Sequence, residues 1–254
     1  MKKFKNILVL AAMAEEEAAI RSLLADNYVG GRSFGKHLQI HAHDFRVGDI
    51  EIIVAQSGIG KVNAALAVNT IVENQPLERK IDAVILLGVG GSIVSGLEIG
   101  DLVLSTAVLQ HDYFGSLEFG DVRMLPGDLI LRREETVGYQ ATMAADQDLV
   151  EMIAKSVFEL PVHKGVVVSG CEFAGTVARK RALHALCDGA LLVEMEAAGV
   201  AQICRKLNLP FVVVKTVADR LNPDDSIETD FVSCLQLAAR NAAIVLKDFL
   251  AIDQ

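Results

Sequence analysis

The chain has no clustered basic run, no CxxC pair and no apolar stretch near the roughly 20 residues that a membrane-spanning helix needs. The first absence, with a formal net charge of −9, argues against a nucleic-acid-binding surface, whose affinity rests on Lys and Arg neutralising phosphates. The second leaves Cys171, Cys187, Cys204 and Cys234 dispersed, which suits a reduced, cytoplasmic protein better than a disulfide framework or a zinc site. The third argues against a membrane protein. The opening Met-Lys-Lys-Phe-Lys looks like a signal-peptide n-region, but the apolar stretch from Ile7 to Ala14 collapses into three glutamates without a cleavage site. No repeat, low-complexity segment or linker interrupts the chain, so residues 1–254 are expected to form a single domain. At 52% hydrophobic, that length can bury a large core.

What is present is an alternation of strand-like and helix-like segments. Residues 6–12 read as a strand covered on both faces, followed by a helix from about Glu15 to Leu24 with its acids in the favourable first turn. Residues 38–56 alternate around Val47-Gly48-Asp49 and read as a hairpin. Ser57-Gly58-Ile59-Gly60-Lys61 is a tight turn into a helix from Val62 to about Glu73, and Asp82 to Leu87 is a buried strand that ends at Gly88-Val89-Gly90-Gly91. Further strands are expected at 101–109 and 164–169, and further helices near 146–158, 176–186, 196–207 and 228–250. Residues 110–145 are the least regular and are expected to loop over the site. A mixed or mostly parallel sheet with helices on both sides fits this order.

Three carboxylates stand just beyond apolar runs: Glu16 after Ile7–Ala12, Glu196 after Leu191–Val193, and Asp219 after Phe211–Ala218. Ligands of open α/β sheets bind at the carboxyl ends of strands, so acids gathered there point to acid–base work on a polar small molecule. Each has a plainer reading. Glu16 reads equally as a solvated member of Glu15-Glu16-Glu17, Glu196 as a helix N-terminal charge, and Asp219 as a turn cap or a partner of Arg220. Glu194 shares the side of Glu196 if the strand extends that far. The two glycine motifs are neither GxGxxG nor a P-loop, and each reads as a sharp turn or as a close backbone approach to a ligand. His37, His41 and His43 share one strand face, which suits an exposed hairpin better than a metal site. Cys171 has no neighbouring His to activate it as a nucleophile. Phe173 fits the core or a flat face for stacking a base.

The ordered set Ala12-Met13-Ala14-Glu15-Glu16, Ser57 to Val62, Gly88 to Gly91, Ile99-Gly100-Asp101, Leu125-Pro126-Gly127, Val168-Ser169-Gly170, Val193 to Ala197, and Pro210 to Val214 with Asp219 resembles the nucleoside phosphorylase/nucleosidase superfamily. Within it, the chain is most similar to bacterial 5′-methylthioadenosine/S-adenosylhomocysteine nucleosidases. The resemblance implies a three-layer α/β/α sandwich around a mixed, partly barrel-like sheet, and usually a homodimer. It implies that Glu16 activates water, that Asp219 protonates adenine at N7, and that Met195 and Glu196 contact the ribose. Phe173 would stack on the purine, while Ile59 and Pro126 would line the pocket for the 5′ substituent, Pro126 from the partner subunit. Val89, Gly90 and Glu194 complete the expected substrate-binding set. The implied ligand is a small nucleoside, with no nucleic acid, membrane, metal or redox cofactor involved.

Departures from the family pattern bear on the substrate. Val89 stands in place of a serine, Lys215 of an arginine and Ala218 of the serine before the aspartate. Glu118 falls where an aromatic often lines the 5′ pocket, and Ala174 is smaller than the usual isoleucine. A phosphorolytic enzyme on the same fold is the main alternative. It would need cations for phosphate, for which Arg32 and Arg46 are the candidates. A non-catalytic nucleoside-binding module is the other, and it would have no need of both Glu16 and Asp219.

Overall fold

The computed structural model describes residues 4–251, apart from 37, 38, 158, 223, 225 and 230; His37 therefore lies outside the described residues. The first half of the chain forms β1 (Asn6–Ala11), α1 (Ala14–Leu23), β2 (Tyr28–Phe34), β3 (Ile40–Val47), β4 (Ile50–Gln56), α2 (Lys61–Glu73), β5 (Ala83–Ser92), β6 (Leu102–Gln110), β7 (Phe114–Leu117) and β8 (Gly120–Arg123). The second half forms β9 (Thr142–Ala144), α3 (Gln147–Ser156), β10 (Val162–Ser169), α4 (Val177–His184), β11 (Ala190–Glu194), α5 (Ala197–Leu207), β12 (Phe211–Leu221), β13 (Ile227–Thr229) and α6 (Phe231–Ala251).

Alternation along the central strands feeds two cores. On β1, Ile7, Val9 and Ala11 join a cluster with Ile20 of α1, Ile153 of α3 and Phe249 of α6. Leu8 and Leu10 point the other way, into a cluster with Val68 and Ile71 of α2 and Val200 and Cys204 of α5. β5 divides in the same manner, Ile85 and Leu87 to one side and Val84 and Leu86 to the other. A strand buried on both faces reads as an unbroken apolar run, and that run is what the sequence carries. Helices thus cover the sheet on both faces, giving the three-layer α/β/α arrangement.

The sheet runs β13-β12-β6-β10-β11-β5-β1-β4-β3-β2, and an additional β12–β5 pairing closes five strands into a barrel-like ring. β1 is parallel to β4 and β5, and β12 is parallel to β5, whereas β12–β6 and β11–β5 are antiparallel. The sheet is mixed and partly closed, as expected. Its parallel members bring the carboxyl ends of β1, β4, β5 and β12 to one edge.

Four readings of the sequence need correction. Gly88-Val89-Gly90-Gly91 is not a turn after a strand: β5 continues through it to Ser92, paired with β12. Asp219 does not end its strand, because β12 runs on to Leu221 and pairs with β13. The C-terminal helix begins at Phe231, since 227–229 is a strand rather than the first turn of that helix. Residues 110–145 contain the β7–β8 hairpin and β9, and among the described residues none of them lines the recess described below. The β2 strand was also missed. Its sequence, with two glycines and mostly exposed side chains, lacks the apolar alternation that marks a strand.

Candidate active site

The sheet edge opens into a recess of about 760 Å3, counted out to its mouth in solvent. Its lining includes Glu16, Ile59, Val89, Gly90, Phe173, Glu194, Met195, Glu196 and Asp219, so these predicted site residues meet in one place. Pro126 is not among the lining residues, and Glu118 sits exposed in the turn between β7 and β8. Ala174 and Ala218 line the recess, and Glu172, which no motif singled out, joins it. Cys171 is exposed and lies off the lining.

Glu16 is not a solvated member of its acidic run; it is 1% exposed. It sits in the first turn of α1, and its Oε2 accepts from the amides of Ala12 and Met13, both at 2.9 Å. Its Oε1 accepts from the Val89 amide of β5 at 3.1 Å. The carboxylate therefore bridges the end of β1 and the glycine-rich part of β5, and the glycine at 88 makes this possible: a Cβ there would lie 2.7 Å from Glu16 Oε1. Burial pushes the Glu16 carboxyl above its usual range, opposed in part by the Lys215 ammonium and the Met13 amide.

Glu194 and Glu196 flank the start of α5. Glu194 accepts from the amides of Glu196 (3.1 Å) and Ala197 (2.9 Å), so its charge satisfies the open N-terminus of that helix. Glu196 Oε1 accepts from the Gly60 amide at 2.9 Å. Gly60 adopts a φ of 100°, a conformation that disfavours any side chain and turns its N–H toward the recess. Burial raises the Glu196 carboxyl, with Lys215 opposing and the Glu194 charge adding to the effect.

Lys215 organises these acids. It is 1% exposed, and its Nζ lies 3.0 Å from Glu194 and 3.2 Å from Glu196. Burial works against its charge, but Glu194, Glu196 and Glu16 outweigh it and hold the ammonium above its ordinary range. A lysine inside the run Val212–Val217 is a signal that could have been read from the sequence, because a buried cation needs carboxylate partners. Replacing Lys215 with methionine should leave these acids uncompensated and destabilise the protein by about 3–5 kcal/mol. A denaturant melt checks this; a loss under about 1 kcal/mol would mean that the cluster does not depend on its cation.

Asp219 reaches the recess through a break in register. Between Val217 and Asp219 the pairing of β12 with β5 shifts, a bulge that re-aims the side chain. Neither plain reading of Asp219 holds. Arg220 turns away to Glu98 and Glu228, and the partner of Asp219 is Lys180 of α4, whose Nζ donates to Oδ1 at 2.7 Å. Sequence reasoning missed Lys180 because Arg179-Lys180-Arg181 reads as a solvated run. Its one clue is the buried Leu183 three residues on, which shares its helix face. At the mouth, Phe173 is 71% exposed beside a two-pronged ion pair between Glu172 and Arg179 at 2.6 and 2.7 Å.

Cations for a phosphate are not on offer in the lining, which among the described residues contains no Lys or Arg. The two candidates from the sequence are engaged elsewhere: Arg32 with Asp44 at 2.8 Å, and Arg46 with Glu51 at 2.6 Å. His41 and His43 alternate with buried Ala42 on β3 and so share a face; His41 meets Ser33, and His43 stands 3.6 Å from Glu17.

A family profile described as the phosphorylase superfamily matches residues 6–251, and the chain belongs to that family. It is 31% identical over 242 residues to a 5′-methylthioadenosine/S-adenosylhomocysteine nucleosidase of an Exiguobacterium species, covering 92% of this chain and 93% of that one. The Staphylococcus aureus nucleosidase is 33% identical over 195 residues, covering 75% and 77%. Among solved structures, a mutant of the Helicobacter pylori nucleosidase with 5′-methylthioadenosine in its active site aligns with a TM-score of 0.79 at 27% identity, over 99% of this chain and 100% of that one. The futalosine hydrolase of Helicobacter pylori aligns with a TM-score of 0.79 at 27% identity, over 98% of each chain.

Proposed function

We propose that this chain is a purine nucleosidase that hydrolyses the N-glycosidic bond of a 5′-substituted adenine nucleoside (methylthioadenosine, S-adenosylhomocysteine or a close relative), releasing adenine and the 5′-substituted ribose. The observation that carries this reading is the meeting of Glu16, Glu196 and Asp219 in one recess, each on a different element. Breaking the bond leaves an oxocarbenium-like ribosyl cation and a purine that departs poorly as an anion. Asp219 protonates the base at N7, and Glu16 accepts a proton from the attacking water on the other side of the ring, in the manner of the carboxylate pair of inverting glycosidases. Glu196 accepts the ribose hydroxyls, with Met195, Val89 and Gly90 against the sugar. Glu194, committed to α5 and Lys215, holds Glu196 in place. Phe173 stacks on the base. None of these steps calls for a metal or a redox cofactor.

We further place the enzyme in the cytoplasm and assemble it as a homodimer, its whole length acting as one domain. Two observations support the pairing: Ile59, Val62 and Leu66, at 54%, 64% and 43% exposure, carry apolar surface from the rim of the recess along α2, and Pro126 stays off its own chain's recess. The neighbouring copy would then supply Pro126 to the 5′ end of the pocket. No helix among the described residues is long and apolar enough to cross a membrane.

Adenine release, followed with and without inorganic phosphate, tests the reaction class. Equal rates with the unphosphorylated 5′-substituted ribose as co-product are expected; strict dependence on phosphate would make the enzyme a phosphorylase. Binding of adenine nucleosides without release of base would leave only a binding module.

A further inference from the structure

We propose that Lys180 is a positioning residue for departure of the base: its ammonium aims Asp219 and stabilises the negative charge that appears there as the proton passes to the purine. The proposal rests on the assignment of Asp219 as the acid.

Lys180 is 0% exposed and lies in the first turn of α4, where the helix dipole disfavours a cation. Burial and dipole both oppose it, and a buried ion pair is weak grounds for stability. The surroundings are nonetheless built around it. Nζ donates to the Ser92 carbonyl at 2.8 Å and to Asp219 Oδ1 at 2.7 Å. The space for the pair exists because residue 91 is glycine: a Cβ there would come within 2.3 Å of Asp219 Oδ1 and 2.7 Å of Lys180 Nζ. The other cations beside the recess are engaged separately, Lys215 with Glu194 and Glu196, and Arg179 with Glu172. Lys180 thus serves Asp219.

With Oδ1 held by the ammonium, Oδ2 is left to face the base. Asp219 takes up a proton from solvent on Oδ2 as the nucleoside binds; as the C1′–N9 bond breaks, its electron pair moves into the purine, that proton moves to N7, and Asp219 returns to the carboxylate paired with Lys180. Lys180 keeps its own proton throughout and meets the new charge with an N–H already in place, a preorganised donor of the kind worth 10²–10³ in rate.

The test compares two leaving groups in wild type, Lys180→Met, Lys180→Arg and Asp219→Asn. One substrate is methylthioadenosine; the other carries 4-nitrophenolate on the same 5′-methylthioribose and departs without protonation. Lys180→Met should lower kcat on methylthioadenosine on the order of 10²-fold and leave the nitrophenyl substrate within a few-fold of wild type, while KM changes little. Lys180→Arg, which keeps a cation, should recover most of the loss and stands in if the methionine variant does not fold. Parallel losses on both substrates, or no loss on either, would overturn the role of Lys180. If Asp219→Asn also fails to distinguish the substrates, the assignment of Asp219 falls instead; if it does distinguish them, only the proposal for Lys180 is lost.

Discussion

Replacing Asp219 with asparagine is expected to lower kcat for adenine release by about 10²- to 10⁴-fold, the usual contribution of a positioned general acid. The amide has no proton to give at neutral pH, so the purine must leave as a poorer leaving group. Its oxygen can still accept from Lys180, which keeps the buried ammonium hydrogen-bonded and the bulge of β12 filled. The variant should therefore fold, and circular dichroism together with adenine binding separates lost chemistry from lost structure. Activity within a few-fold of wild type would remove Asp219 from the reaction.

Glu16→Gln is expected to have an effect of the same order, about 10²- to 10⁴-fold on kcat, through loss of the group that accepts a proton from water. The carboxamide also brings an NH2 group against amides of Ala12, Met13 or Val89 that now donate to the carboxylate, and an unmatched buried donor costs about 1–3 kcal/mol. A modest fall in melting temperature should accompany the loss of rate. The pH profile is a second check on the same residue. Glu16 works as the carboxylate, and burial holds its carboxyl above the ordinary value of 4.5, so the acid limb of kcat/KM should fall at a pH higher than 4.5. Glu196 is raised for the same reason, and the limb then belongs to the two acids together. For stability the sign is reversed. The raised acids favour the folded state below the ordinary glutamate range, and that contribution is lost as pH rises through their folded values.

The architecture was legible because buried parallel strands must be apolar throughout. Ile7–Ala12, Asp82–Leu87 and Phe211–Val214 marked the centre of the sheet, and Glu16, Glu196 and Asp219, each beyond an apolar run, marked its functional edge. What escaped were features set by partners remote in sequence. β5 runs through Gly88–Gly91 because a strand can hold glycines where Glu16, Leu192 and Asp219 crowd the backbone, and local propensity knows nothing of those neighbours. Glu16 looked solvated because its burial depends on β5, far along the chain. Lys180 drew no attention because its partner is 39 residues away on another element. In each case the residue type was visible and the tertiary contact that gives it meaning was not.

The measurement that bears most directly on opposed acids is the configuration at C1′ of the first sugar formed, followed by NMR during hydrolysis of methylthioadenosine in phosphate-free buffer. Water activated by Glu16 on the ring face away from Asp219 and the departing base should give the α-anomer of 5-methylthioribose, before mutarotation mixes the two forms. Initial formation of the β-anomer, or no sugar at all until phosphate is added, would contradict the account.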